Sequence, residues 1–218
     1  MTVTQVSAQE LFRAAYENRY TWDNAFPGYS TDVTLTVDGE TFIGTARVNA
    51  DLSAEVFGVE NEQAKKLIHG QLWETSIHRV RRTFEQTHGE NSFTYGATDE
   101  SGAVEILMGG KAEGDRYKVQ NNEVTLVHRH IHGVVITINT FDTQKTDEGY
   151  LSHTYDSVYH DPKTGEQKGG RSEFEDSYEK VGNYYILSRR MIRTEANGKV
   201  SIQDFVFSNI QLLEPKAE

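Results

Sequence analysis

From Tyr29 to Val37 the chain alternates, with apolar or aromatic residues at 29, 33, 35 and 37 and Ser, Asp or Thr between them. That period of two belongs to a strand with one buried face. Asp38-Gly39 follows, a dipeptide suited to a two-residue turn because both central positions of a type I′ turn take positive φ. Such a turn pairs Val37 with Glu40, Leu35 with Phe42, Val33 with Gly44 and Thr31 with Ala46. It places Tyr29, Val33, Leu35, Phe42, Ala46 and Val48 on one face, so turn chemistry and hydrophobic pattern agree on one register. A third strand is expected after this hairpin.

Two segments have helical spacing instead. Ser7 and Glu10 form a capping box ahead of Leu11, Phe12, Ala15 and Tyr16, which predicts a helix to about Arg19. Asn61 can cap a second segment, Glu62 to Phe84, that holds no proline. At about 100° per residue, Ala64, Leu67 and Ile68 share one side. Trp73, Ile77, Val80 and Phe84 fall on nearly the opposite side. Gly70 lies between the stripes, and glycine is a weak interior helix residue. The segment is therefore either broken or kinked at Gly70, or a straight helix with two apolar sides. Between the first helix and the hairpin, Tyr20 to Gly28 is an aromatic-rich loop, expected to be pinned by Trp22 and Phe26.

After Phe84 nearly everything reads as antiparallel strands with short turns at Asp99–Gly102, Asn121-Asn122, Asp147–Gly149, Asp161–Gly165, Gly182-Asn183 and Ala196–Gly198. Strands without interleaved helices form a meander, not a parallel sheet. No repeat or linker interrupts residues 1–218, so one domain is expected.

Composition narrows the function classes. The 218 residues carry a formal net charge of −11, which argues against nucleic acid or an anionic membrane surface as the main partner. There is no cysteine, so disulfides, zinc–thiolate sites and cysteine nucleophiles are excluded. No apolar run approaches the ~18 residues of a spanning helix, and Met1 to Val6 lacks the basic and apolar regions of a secretory signal. The expected location is cytoplasmic or stromal.

Candidate chemistry is sparse. His128, His130 and His132, read as one strand, point three imidazoles to one face about 6.8 Å apart, and two can reach one metal. Val124 and Leu126 share their parity, so the alternative is a half-buried structural face, and no metal is expected. Arg79, Arg81, Arg82, Arg189, Arg190 and Arg193 could bind a phosphate. Internal pairing with the acidic run Glu173, Glu175, Asp176 and Glu179 is the expected reading. There is no nucleophile elbow, Walker loop, metalloprotease motif or dinucleotide glycine pattern.

The order of elements over residues 5–212 resembles the half-barrel of bacterial lipoprotein carriers (LolA-like): helix, hairpin, edge strand, a helical segment with Trp73, then a long meander. The resemblance implies a strongly curved open sheet around the helices and an apolar cavity for acyl chains, although this chain lacks their secretory signal. With its length and its Phe26-Pro27-Gly28-Tyr29 stretch, the whole chain also resembles an uncharacterised family of cyanobacteria and chloroplast-bearing organisms. That resemblance implies proximity to photosynthetic membranes but no activity.

The expected fold is α+β, mostly antiparallel β, with a curved open sheet packed on an N-terminal helix and one broken helical segment. The expected function is non-enzymatic binding or carriage of a hydrophobic ligand, a lipid or pigment, without a cofactor, in a cavity between the curved sheet and the helices lined by Leu67, Trp73, Ile77, Val80 and Phe84. A protein-assembly factor without a small ligand is one alternative. A metal-assisted enzyme at His128, His130 and His132 is the other.

Overall fold

The structure, a computed structural model, describes residues 6–214. The hairpin forms in the register that its turn dictates. β1 (Gly28–Val37) and β2 (Glu40–Asn49) pair Val37 with Glu40, Leu35 with Phe42, Val33 with Gly44 and Thr31 with Ala46. Asp38 and Gly39 have φ of 48° and 96°, the left-handed pair required by the turn. The third strand is β3 (Ala54–Phe57), which pairs with β2.

The full order is α1 (Ala8–Glu17), β1 to β3, α2 (Glu62–Arg79), α3 (Phe84–His88), then β4 (Asn91–Thr98), β5 (Val104–Gly110), β6 (Arg116–Gln120), β7 (Glu123–Ile131) and β8 (Val134–Thr146). β9 (Gly149–His160), β10 (Gln167–Val181), β11 (Tyr184–Ala196) and β12 (Lys199–Leu212) complete it. The strands form a twelve-stranded sheet ordered β3-β2-β1-β12-β11-β10-β9-β8-β7-β6-β5-β4. The fold is α+β and mostly antiparallel, as the meander pattern predicts.

Contacts divide the chain into two compact units. The first joins the residues up to Tyr20 to Arg82–Glu173. Its core sets Phe12, Ala15 and Tyr16 of α1 and Phe84 of α3 among Ile106, Met108, Tyr117, Val119 and Val124. α1 starts with the expected capping box, Ser7 and Glu10 each bonding the other's backbone.

The second unit joins Thr21–Arg81 to the chain from Phe174 onward. Tyr29, Val33, Leu35, Ala46, Val48, Phe205 and Phe207 are buried there. The aromatic loop is pinned as expected. Trp22 and Phe26 stack with ring centroids 4.0 Å apart, and Trp22 Nε1 donates to the Tyr185 carbonyl at 3.1 Å.

The helical segment is broken, but not at Gly70. α2 runs without interruption from Glu62 to Arg79. Val80 then turns extended (ψ 124°) and forms a bridge with Trp22. Thr83 starts α3 with its own capping box to Gln86. Leaving the helix lets Thr83 satisfy the first amides of the next one, and a glycine at Gly70 costs too little to stop an 18-residue helix.

Candidate functional site

α2 is apolar on two opposite sides. Asn61 accepts from the amides of Gln63 and Ala64 at 3.0 Å each, which fixes the start and hence the phase of the helix. The inner side buries Ala64, Ile68 and Leu72 together with Thr75 and Ser76. The two hydroxyls are tolerated there because they donate back to the carbonyls of Gln71 and Leu72, at 2.9 and 2.8 Å.

A buried charge pair anchors the helix to the sheet. Arg190 of β11 is 4% exposed and forks onto Asp176 of β10, with Nε–Oδ1 at 2.8 Å and Nη2–Oδ2 at 2.6 Å. Its Nη1 donates to Gln71 at 2.9 Å and to Glu74 at 3.4 Å, both on α2. At the end of the helix, Arg79 donates to the Tyr178 hydroxyl at 3.1 Å. Burial first, and then the Asp176 carboxylate, push that phenol up to about 12 against the pull of Arg79, so it stays neutral. Of the expected pairings with the acidic run, the one to Asp176 is made by Arg190. Arg189 turns instead to Asp204 of β12, with two contacts of 2.9 Å.

With its rim and inner side held, α2 presents its other side outward. Trp73 is 53% and Ile77 38% exposed. Gly70 stands one turn before Trp73, and a Cβ built there meets nothing within 4 Å. Trp73 and Ile77 therefore form an exposed apolar ledge, with open space beside the half-buried Gly70. Leu67 is half-buried at its flank.

The two remaining residues expected to line a ligand are elsewhere. Val80 is half-buried in the Trp22 bridge. Phe84, 1% exposed, lies in the core of the other unit, 6.0 Å from the Phe12 ring and 5.4 Å from that of His88. The regular spacing 73, 77, 80, 84 lines up only on a continuous helix, and the helix ends at Arg79.

The three histidines also separate. His128 and His130 are on β7 with ring centroids 6.0 Å apart. His132, at φ 49°, is in the turn with Gly133. His128 Nδ1 contacts Thr137 Oγ1 at 2.8 Å, and His130 Nδ1 contacts Asp115 Oδ1 at 3.1 Å. Among the described residues no group of three or more His, Cys, Asp or Glu is placed to share a metal. Sequence parity also misplaced the face. Val119 pairs with Val124 but Lys118 with Leu126, so Thr125 is an extra bulged residue. Val124 thereby points into the core while Leu126 and His128 do not.

No helix among the described residues is long and apolar enough to cross a membrane. Residues 3–213 match the sequence model of a family described as "Protein of unknown function (DUF3386)". No functionally curated protein matches the chain. Among solved structures it is similar to a LolA superfamily protein from Nitrosomonas europaea, with 8% identity, 96% of this chain and 95% of that chain covered, and a TM-score of 0.36. It is also similar to the Pseudomonas aeruginosa MucA/MucB complex structure, with 10% identity, 97% and 99% covered, and a TM-score of 0.25. Scores this low carry no argument about function.

Proposed function

We propose, for a chain that belongs to the DUF3386 family, a non-enzymatic role as binder or carrier of a hydrophobic small molecule, a lipid or pigment held along the outer side of α2. The observation that carries this reading is the second apolar side of that helix. Trp73 and Ile77 are exposed while the opposite side is already filled, and Arg190, held by Asp176, ties α2 to the sheet through Gln71 and Glu74. The bare Gly70 backbone leaves open space beside Trp73, so an acyl chain or ring can approach the helix there. Leu67 borders it.

Contact with an apolar ligand removes water from Trp73 and Ile77 at about 25 cal/mol per Å² of apolar area. That gain is non-directional, so it suits a carrier of apolar bodies better than a catalyst. In this reading the protein works in an aqueous compartment, cytoplasmic or stromal, and needs no cofactor.

Titration with the neutral apolar probe N-phenyl-1-naphthylamine tests it. Saturable binding is expected, with a change in the emission of Trp73, measured in a Trp22→Phe background. Ile77→Asp should abolish binding without lowering the melting temperature, since Ile77 is outside the core. Absence of saturable binding, with Trp73 emission unchanged, would reject the carrier reading and leave the ledge as a protein-assembly surface.

A further inference from the structure

The unit that contains β6 to β9 has a concave feature, far in character from the apolar ledge. Strand register builds it. Arg116 pairs with His128, and His128 with Thr137, so three polar side chains stand side by side on neighbouring strands. One pair further along, Val135 faces His160. An open pocket of about 360 Å³ lies over this patch, lined by Arg116, His128, Thr137 and His160, with Val135 and Pro162 as its apolar wall.

Charged groups of both signs meet at this pocket, in a chain of net charge −11. Asp161 also lines it, but its carboxylate is already engaged. Oδ1 takes the amides of Lys163 and Thr164 at 2.8 and 3.1 Å, and Oδ2 takes Lys168 at 2.9 Å. Glu105 forms an ion pair with Arg116 at 3.6 Å, which compensates part of its charge without a close hydrogen bond. Asp115 is committed to His130 and Arg129. Arg116, partly compensated by Glu105, and the imidazoles of His128 and His160 are the groups of the lining that can meet an anion.

The contact of His128 Nδ1 with Thr137 orients the ring and leaves Nε2 for the pocket. Partial burial holds His128 below the usual histidine range, helped by Arg116, His130 and His160 and opposed by Asp115. An anion in the pocket would reverse that balance.

We propose that this pocket binds a small organic phosphate monoester, its phosphate between Arg116, His128 and His160 and its apolar body against Val135 and Pro162. The volume exceeds what inorganic phosphate needs and falls at the small end of organic-ligand pockets. A phosphate monoester is close to doubly charged at neutral pH. It therefore satisfies a guanidinium and a protonating imidazole together, which a carboxylate with one charge does not. This site is in the other unit from α2, so it stands or falls independently of the apolar ledge.

Calorimetric titration with phenyl phosphate, beside inorganic phosphate, phenylacetate and phosphatidic acid vesicles, tests the assignment. Phenyl phosphate is expected to bind one to one and most tightly of the four. Its affinity should rise about threefold or more between pH about 8 and about 6.5, where histidine gains its proton. Arg116→Gln and His128→Gln should each weaken it by about tenfold or more, with unchanged melting temperatures. Equal binding of phenylacetate, binding to the vesicles alone, or full retention by both variants would overturn the proposal. So would phenyl phosphate binding that does not vary with pH.

Discussion

Acid should unfold this protein through one histidine. His88 ends α3 inside an aromatic cluster, 5% exposed, with its ring centroid 5.1 Å from Phe12 and 4.9 Å from Tyr16. Its Nδ1 contacts the Asn91 side-chain amide at 3.0 Å. Burial pushes the imidazole down to about 4, and Arg129 and Arg19 add to this against the pull of Asp115. A folded-state value below the unfolded one of 6.5 means that the unfolded chain binds the proton first. The stabilisation is therefore complete above pH 6.5 and is lost as pH falls from there towards 4. With those two values, linkage gives a loss of about 2 kcal/mol by pH 5 and about 3 kcal/mol by pH 4. Carboxylates such as Asp161, held down to about 2 chiefly by Lys168, lose their contribution only at lower pH. Urea denaturation followed by circular dichroism should show the loss in the native protein. His88→Phe keeps the aromatic packing and should flatten the profile over the same range. A native profile that stays flat from pH 6.5 to 4.5, or a His88 ring that titrates by proton NMR near 6.5, would refute the reasoning.

Two further substitutions test the backbone. Gly39→Val should destabilise by about 1–2 kcal/mol through its positive φ alone, because nothing lies within 4 Å of a Cβ there; a change under ~0.5 kcal/mol in urea denaturation would show a different turn. Gly70→Ala should instead stabilise by up to ~1 kcal/mol, since α2 is continuous there and the site is open. The same methyl should keep the naphthylamine probe from the Gly70 backbone and weaken its binding.

Much of this architecture is legible in the chain because separate signals coincide. In the hairpin, alternation and the Asp38-Gly39 turn each specify the same pairing, and a single-residue slip would expose Leu35 and Val33. The end of α2 is also written in the sequence, as the Thr83-Phe84-Glu85-Gln86 spacing of a capping box. Apolar residues at 73, 77, 80 and 84 masked it by continuing the helical period across the break. Other features leave no local trace. The Thr125 bulge is set by how β6 and β7 pair, and it alone decides that His128 leaves the core side. Arg190 occupies an inward position on β11 that is made tolerable by partners distant in sequence, Asp176, Gln71 and Glu74 among them. The pocket at Arg116 and His160 joins residues far apart in sequence through strand register, which no motif encodes.

The central claim is that the outer side of α2 holds an apolar molecule. Native mass spectrometry of protein purified from its own source without detergent, followed by organic extraction, tests this most directly. The account predicts a discrete added mass that extraction recovers as a lipid or pigment and that a Trp73→Ser, Ile77→Ser double variant lacks while remaining folded. A native protein whose mass equals that of the bare chain, or an apolar adduct retained in full by the double variant, would contradict it.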